Sequence, residues 1–525
     1  MSETCRDVVV VGAGPTGLAL AIALRQYGLD VAVLEKEPHT KREVRASIMW
    51  QRALEVLRDL GCADKFVGGG LPLRQAEVYV RGHRVGGHEM SVSHTLFPEP
   101  LSIEQIATEQ LLTERLGELD TTVSWESEAV DVRLYADAAE VDVRGPNGRA
   151  ETIASRWVVG CEGAHSLVRK ALGVPFEGEC RTGLQAVQIN AEPDWKYAYR
   201  PDTSYFFFER RVCLIASPRP GGGYRFFAFV SDPDPALVAP PDAEEMRELI
   251  ARAAHDAALR LTPTQPLWLN RARFHDRIAA SLREGPAMLV GDSAHMWAPI
   301  GGRGLNTGLR GAHNLAWKLA AVHHGWARDA LLDTYSTEQR AAATEIMRQM
   351  RHNVTELPPA PATLAAMRLA LPALMAGERF SGRGRILLSD LARHHRKSAL
   401  SADGAGRAAL RAGDRMPDLP VTEGGHRRRL HDLLSYGRWT ALLVHGRSTG
   451  DGADLEAAAA AVDRALARHA LPAEVFHVRP GHRDTGRLPS GTLYLMRPDG
   501  HIGLRVPAAD SRALQDYLHT WFTLK

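Results

Sequence analysis

The sequence predicts an α/β fold in three parts: a doubly wound nucleotide-binding domain, an antiparallel β-sheet inserted into it, and a separate α/β domain at the carboxyl end. Three observations carry that prediction. β-Branched runs at Asp7–Val11 and Val31–Leu34 alternate with helical periodicity; an aromatic stretch from Trp195 to Phe229 has the spacing of strands; and a Gly- and Arg-rich segment from Ser381 to Arg415 precedes a fresh strand and helix pattern. At 525 residues the chain exceeds one core, so several domains are expected. The boundaries read as residues 1–180 with 271–390 for the nucleotide-binding domain, 70–105 lying partly in the inserted sheet, 181–270 for that sheet, 391–411 as linker and 412–525 as the last domain.

The run Asp7–Val11 suits a central parallel strand and leads into Gly12-Ala13-Gly14-Pro15-Thr16-Gly17. In this G-x-G-x-x-G turn the glycines let backbone approach a pyrophosphate, and the helix start supplies N–H donors. The helix, Leu18 to Tyr27, stops at Gly28. A second strand presents Glu35, followed by Lys36, about 20 residues beyond the glycines, where an acid can hold an adenosine ribose. A further helix runs from Gln51 to Leu60, and another carries Gln105 four residues before Glu109. Val158-Val159-Gly160-Cys161-Glu162-Gly163 closes a third apolar strand.

The aromatic stretch reads as an antiparallel sheet with one buried face, to which Glu77–Val80 adds a strand. Most of its rings are expected in the core, with Phe206 and Phe208 as candidate substrate contacts. Ala287–Val290 is a short buried strand that delivers Asp292, a fixed acceptor, at its carboxyl end. Pro299, Gly301, Gly302 and Gly304 then surround Arg303 and let N–H groups crowd a ligand. The following helix has Leu305, Leu309, Ala312, Leu315 and Leu319 on one face. Its positive amino end suits the negatively charged pyrimidine edge of a reduced flavin.

Together these segments resemble the class A flavoprotein monooxygenases, aromatic hydroxylases with the para-hydroxybenzoate hydroxylase fold. Their three motifs, the glycine fingerprint, an intermediate D-G motif and a G-D motif, fall here over roughly the first 320 residues. The resemblance implies a Rossmann-like FAD-binding domain in which Gly12, Gly14, Pro15, Thr16, Gly17, Glu35, Lys36, Arg45, Gln105, Glu162 and Asp292 bind FAD, with Pro299, Gly301, Gly302, Gly304, Leu305 and Asn306 along the isoalloxazine ring. Arg45 matches an Arg-Ala position near the flavin and pyrophosphate, and Gln105 the ribityl-binding Gln. Three positions depart from the family pattern: Glu162 replaces the usual Asp, Ala298 precedes Pro299 where Pro-Pro is frequent, and Arg303 stands where Gln is common. The last two, with Trp297, are expected on the substrate side of the flavin.

After Tyr335 helices continue to about Leu391, broken by Pro358-Pro359 and Pro361. The final domain reads as strand Thr440–Val444, helix Asp454 to His469, strand Glu474–Val478, hairpin Thr492 to Arg505 turned at Pro498-Asp499-Gly500, and a helix from Asp510. That order resembles the thioredoxin-like carboxyl-terminal domain of phenol and polyketide hydroxylases. No cysteine follows Cys213, so thiol redox chemistry there is excluded, leaving a structural or subunit-contact role with the last helix as a candidate homodimer surface.

Lys plus Arg total 64 against 62 Asp plus Glu, a balance that offers no basic patch for nucleic acid. Five scattered cysteines without a C-x-x-C pair argue against a metal cluster or a disulfide scaffold. Absence of a basic-then-apolar leader and of a run of roughly 20 apolar residues predicts a cytoplasmic protein without membrane contact. The resemblance implies hydroxylation of a phenolic or polycyclic aromatic, polyketide types included, by FAD, NADPH or NADH, and dioxygen through a flavin C4a-hydroperoxide. Baeyer–Villiger oxidation or epoxidation on the same scaffold, and a catalytically silent FAD protein that sequesters an aromatic compound, stay open. With one fingerprint assigned to FAD, the nicotinamide must dock transiently. No W-x-W-x-I-P segment marks a halogenase, and no catalytic base is assigned; His295 is as consistent with a structural hydrogen bond.

Overall fold

The computed structural model describes residues 5–525 except 40–47, 232, 235, 265–266, 268, 352–357, 377–384, 407 and 447–451. Its first sheet is built around Cys5–Val11, which pairs in parallel with Val31–Leu34 on one side and Ala150–Gly160 on the other. Ala287–Leu289 joins the outer edge of Ala150–Gly160, again in parallel. The three motif-bearing turns therefore emerge from the same end of adjacent strands. Val8, Val9 and Val10 are fully buried, as a strand covered on both faces requires.

Helix Pro15–Gln26 is buried almost all round and lies against the long helix Arg303–His323. Their approach is set by Gly308, where a Cβ would lie 2.2 Å from Thr16 Oγ1. A larger residue there would have to displace the Thr16 hydroxyl.

The second sheet runs in the order His295–Met296, Leu269–Ala279, Phe176–Asp194, Tyr224–Ser231, Val212–Pro218, Thr203–Glu209, Gln75–Val80, His83–Glu89. It is antiparallel except where Thr203–Glu209 meets Gln75–Val80, the strand expected from Glu77–Val80. The pleat sorts the aromatic residues. Tyr205, Phe207, Tyr224 and Phe226 form one buried cluster with Trp195 and helix Ala243–Ala254, while Phe206, Phe208, Phe227 and Phe229 turn to the opposite face.

Helices Asp333–Arg351 and Pro361–Ala376 follow. Pro361 opens the second helix instead of ending the first, because a first-turn proline has no intrahelical N–H to lose. The carboxyl-terminal sheet orders Ala402–Asp403, Ile502–Pro507, Thr492–Met496, Trp439–Val444, Ala473–Pro480, Pro420–Glu423 and His426–Arg429. The expected linker 391–411 is thus part of the structure: Ala402–Asp403 is a strand, and Ser398 Oγ–H donates to Glu338 Oε1 at 2.7 Å. Helix Ser511–Trp521 buries Leu514, Tyr517 and Leu518 within its own chain. Among the described residues no helix is long and apolar enough to cross a membrane.

Candidate active site

One cavity of about 1770 Å³ opens at the carboxyl ends of the parallel strands and extends beneath the second sheet. Gly12, Gly14, Pro15, Thr16, Glu35, Lys36, Gln105, Glu162, Asp292, Pro299, Gly301, Gly302, Gly304 and Leu305 all line it. So do Phe206, Phe208 and Trp297. Arg45 lies outside the described residues.

The glycine turn is shaped by contact. Gly12 has φ +103°, and a Cβ on it would sit 2.6 Å from Cys161 O. Gly14 faces open space, so a ligand can approach its backbone. Gly17 stands behind the turn, outside the cavity lining: its Cβ would fall 2.0 Å from Gly12 O, so it sets how tightly helix presses on loop. Glu35 also braces the turn, with Oε2 accepting from the Ala13 N–H at 2.9 Å and Oε1 from the Glu37 N–H at 3.2 Å. Gln105 Nε2 donates to Glu109 Oε1 at 2.9 Å, one helical turn away.

Glu162 uses its extra methylene to fold back onto its own turn. Ser166 Oγ–H donates to Oε2 at 2.6 Å and the Val168 N–H to Oε1 at 3.0 Å, capping helix Leu167–Ala171. Both carboxylate oxygens are engaged there, and the backbone from Cys161 to Ala164 forms the cavity wall. Ser293 and Arg169, to which the sequence reading gave no role, join the second and third motifs. The Gly163 N–H donates to Ser293 Oγ at 2.9 Å, and Arg169 donates to Ser293 O at 3.0 Å and Ala164 O at 2.7 Å.

Asp292 is exposed to the cavity in the single turn Gly291–Ser293. Gly301 and Gly302 have φ +75° and +60°, a reversal that turns the start of helix Arg303–His323 toward the cavity. Asn306 does not line it. Its Oδ1 accepts from the Trp50 N–H at 2.8 Å and its Nδ2 donates to Ile48 O and Gly302 O, buckling the loop from behind.

Arg303 lines the cavity but is only 5% exposed and donates to Asp390 Oδ1 at 3.1 Å, because a buried guanidinium needs a carboxylate and Asp390 supplies it. One expectation about the substrate side is corrected. Ala298 is fully buried, with its N–H toward Asp276 Oδ1, and does not reach the cavity. Trp297 does, stacked on His295 with ring centroids 4.8 Å apart and planes at 9°. Burial, reinforced by Arg310, pushes His295 down to about 4, so its ring is neutral and structural at ordinary pH. Met350, Met367, Leu371 and Met375, which the sequence reading left unassigned, close the apolar end.

Among the described residues no cluster of three or more His, Cys, Asp or Glu could hold a metal ion. A dinucleotide fits what is present: an open glycine turn, an acid on the next strand, a carboxylate facing the cavity and a helix start beyond it.

Comparison with known proteins places these features in a family. A family model for the FAD binding domain matches residues 6–350, and a model for the carboxyl-terminal part of aromatic-ring hydroxylases matches residues 409–523. Rifampicin monooxygenase of Streptomyces venezuelae is 32% identical over 448 residues, covering 84% of this chain and 88% of that one. The 12-dehydrotetracycline 5-monooxygenase/anhydrotetracycline 6-monooxygenase of Streptomyces rimosus is 31% identical over 98% of both. The solved anhydrotetracycline hydroxylase of Streptomyces rimosus superposes with a TM-score of 0.77 at 29% identity over 99% of each chain.

Proposed function

The chain belongs to the FAD-dependent aromatic-ring monooxygenases, and from that premise we propose that it hydroxylates a phenolic or polycyclic aromatic small molecule, using NAD(P)H and dioxygen. The observation that carries this reading is the continuity of the nucleotide cradle with the aromatic face of the second sheet in one cavity. Its volume of about 1770 Å³ exceeds the roughly 300–1,000 Å³ of an ordinary single-ligand pocket, leaving space for cofactor and substrate together.

FAD, when bound, supplies dioxygen activation with electrons from the nicotinamide. The chain supplies position. Gly12 to Thr16 and the helix behind them take the pyrophosphate, Glu35 faces the adenosine ribose, and Gln105 and Asp292 take the ribityl chain. Backbone from Pro299 to Leu305 lies along the ring's polar edge, where N–H donors stabilise negative charge. Phe206, Phe208 and Trp297 hold the aromatic substrate and exclude water. Residues 412–525 act as a structural domain, and Arg45 steers the nicotinamide to a transient site. A cytoplasmic location and a homodimer complete the proposal.

Hydroxylation is preferred to oxygen insertion or silent binding because the named relatives are monooxygenases and a hydroxylase. The test is NADPH consumption by the purified holoenzyme across a panel of phenols and fused polycyclic aromatics, with labelled dioxygen. A suitable compound is expected to accelerate consumption at least tenfold and gain one oxygen, and Arg45→Ala to slow flavin reduction. No acceleration by any compound, with FAD bound, would favour silent binding; an unchanged reduction rate would remove Arg45 from the scheme.

A further inference from the structure

The reversal at Gly301 and Gly302 ties up its own acceptors. Ala298 O accepts from the Ile300 N–H at 2.7 Å, Pro299 O from the Gly302 N–H at 3.1 Å, Gly301 O from Trp50 Nε1–H at 2.7 Å and Gly302 O from Asn306 Nδ2 at 2.7 Å. The helix that follows, Arg303–His323, starts with N–H groups that have no acceptor within the helix. Where Gly304 and Leu305 line the cavity, the loop therefore offers a ligand donor character. Three of the four carbonyl bonds close within the loop and its own helix, but the bond to Gly301 comes from a side chain 251 positions away.

Trp50 is anchored to hold that bond. Its backbone N–H donates to Asn306 Oδ1 at 2.8 Å and its carbonyl accepts from the Leu54 N–H at 3.1 Å, so the side chain leaves from a fixed point at the start of helix Gln51–Asp59. Trp50 is buried, lines the cavity and belongs to a small apolar cluster with Leu73, Ala76 and Met90, against which Phe206 packs. A Cβ on Gly302 would lie 4.0 Å from Trp50 Nε1, an ordinary contact, so the loop rests on the polar atom of the ring. An indole N–H only donates and, when buried, needs an acceptor. Here a carbonyl of the loop supplies it.

We propose that Trp50 is a positioning residue for the flavin: by compensating the Gly301 carbonyl it keeps the loop a net donor toward the ring and so favours the reduced form of the cofactor. The assignment rests on the reading of Pro299 to Leu305 as the bed of the isoalloxazine ring. It goes further by naming the side chain that sets the electrostatics of that bed. Reduction adds negative charge to the pyrimidine edge, which N–H donors stabilise and a carbonyl oxygen opposes. Without the indole donor, Gly301 O has one bond fewer and a less compensated negative field, in a turn whose glycine backbone is free to rotate. The penalty falls on reduced FAD more than on oxidised FAD, so the reduction potential is the property that moves.

The experiment is an anaerobic, dye-coupled reductive titration of the FAD-loaded protein, which needs neither substrate nor nicotinamide. Trp50→Phe keeps an aromatic ring and loses the donor, whereas Trp50→His keeps an N–H at the same place in a five-membered ring and loses the rest of the indole. At about pH 8, where an ordinary histidine is neutral, Trp50→Phe is expected to lower the reduced-to-oxidised ratio at a fixed potential about threefold or more, and Trp50→His to stay near the wild-type ratio. Benzothienylalanine at position 50, which has the shape of Trp with sulfur in place of N–H, is expected to match Trp50→Phe and replaces it if that variant does not fold. An unchanged ratio in either donor-less variant that folds, or a fall in Trp50→His as large as theirs, overturns the proposal. Gly304→Pro, which removes a first-turn N–H where proline is tolerated, separates this failure from that of the loop reading. A shift in Gly304→Pro without one in Trp50→Phe overturns the proposal alone, no shift in either overturns both, and a wild type without bound flavin marks failure of the FAD reading itself.

Discussion

His295 lies flat against Trp297 at the cavity wall, and its low proton affinity has a consequence for acid stability. Its folded-state value of about 4 lies below the ordinary 6.5, so the unfolded chain takes up a proton first as pH falls. Stability therefore declines from about pH 6.5 to about 4 and levels off below. At about 1.4 kcal/mol per pH unit this group alone removes about 2 kcal/mol between pH 6.5 and 5. Denaturant titrations followed by tryptophan fluorescence at both pH values should show that loss, and His295→Gln should reduce it; an unchanged loss in the variant would assign the acid sensitivity elsewhere. The environment that neutralises His295 is not visible in sequence, because its burial and the approach of Arg310 come from the fold. Glu162 teaches the same lesson. Its motif position was legible, but one methylene redirects its carboxylate to Ser166 and Val168, a local geometry that spacing alone does not specify.

At the scale of elements, the turn and helix after Cys5–Val11 owe their shape to Gly17. A methyl there would meet Gly12 O at 2.0 Å, so Gly17→Ala must push the helix off the loop. Such overpacking costs about 1–3 kcal/mol. The expected outcome is a lower melting temperature together with FAD lost on gel filtration, whereas Gly117→Ala, with open space around its Cβ position and a helical backbone, should perturb neither. Retention of FAD by Gly17→Ala would show that the turn tolerates the shift. The elements themselves were readable. β-Branched runs, capping glycines and alternating aromatics carry local periodic signals, and the strand Val31–Leu34 appears with the bounds the pattern predicts. That Asn306 turns away from the cavity, and that Arg303 is held by Asp390, is not readable, because Trp50 and Asp390 are distant in sequence and come with no periodic signal.

Across the whole molecule, the helix Arg303–His323 links the cavity to the carboxyl-terminal domain. Its Asn314 and Trp317 donate to Asp499 at 2.9 and 3.1 Å, and Lys318 pairs with Glu338 at 2.8 Å. Arg497 pairs with Glu338 and Asp499. All these charged groups are essentially buried, so losing one partner strands the others. Asp499→Asn should lower stability by about 3–5 kcal/mol and loosen the last domain, measured by thermal unfolding and limited proteolysis; a change under 1 kcal/mol would mean the cluster relaxes around the loss. The turn Pro498-Asp499-Gly500 was legible as a hairpin, but its insertion against another domain was not, since the residues Asp499 meets, Trp317, Asn314 and Arg52, lie 182, 185 and 447 positions away. The absence of cysteine from this domain accords with the bracing role its contacts describe.

Convergence of the motifs on one FAD site is measured most directly by the flavin absorbance and extracted cofactor of the purified protein beside Asp292→Ala. Loss of the Asp292 acceptor should weaken FAD retention about tenfold or more while leaving the fold intact by circular dichroism. The wild type should be yellow, with extracted FAD close to one per chain. A colourless wild-type protein that takes up no added FAD would contradict the account.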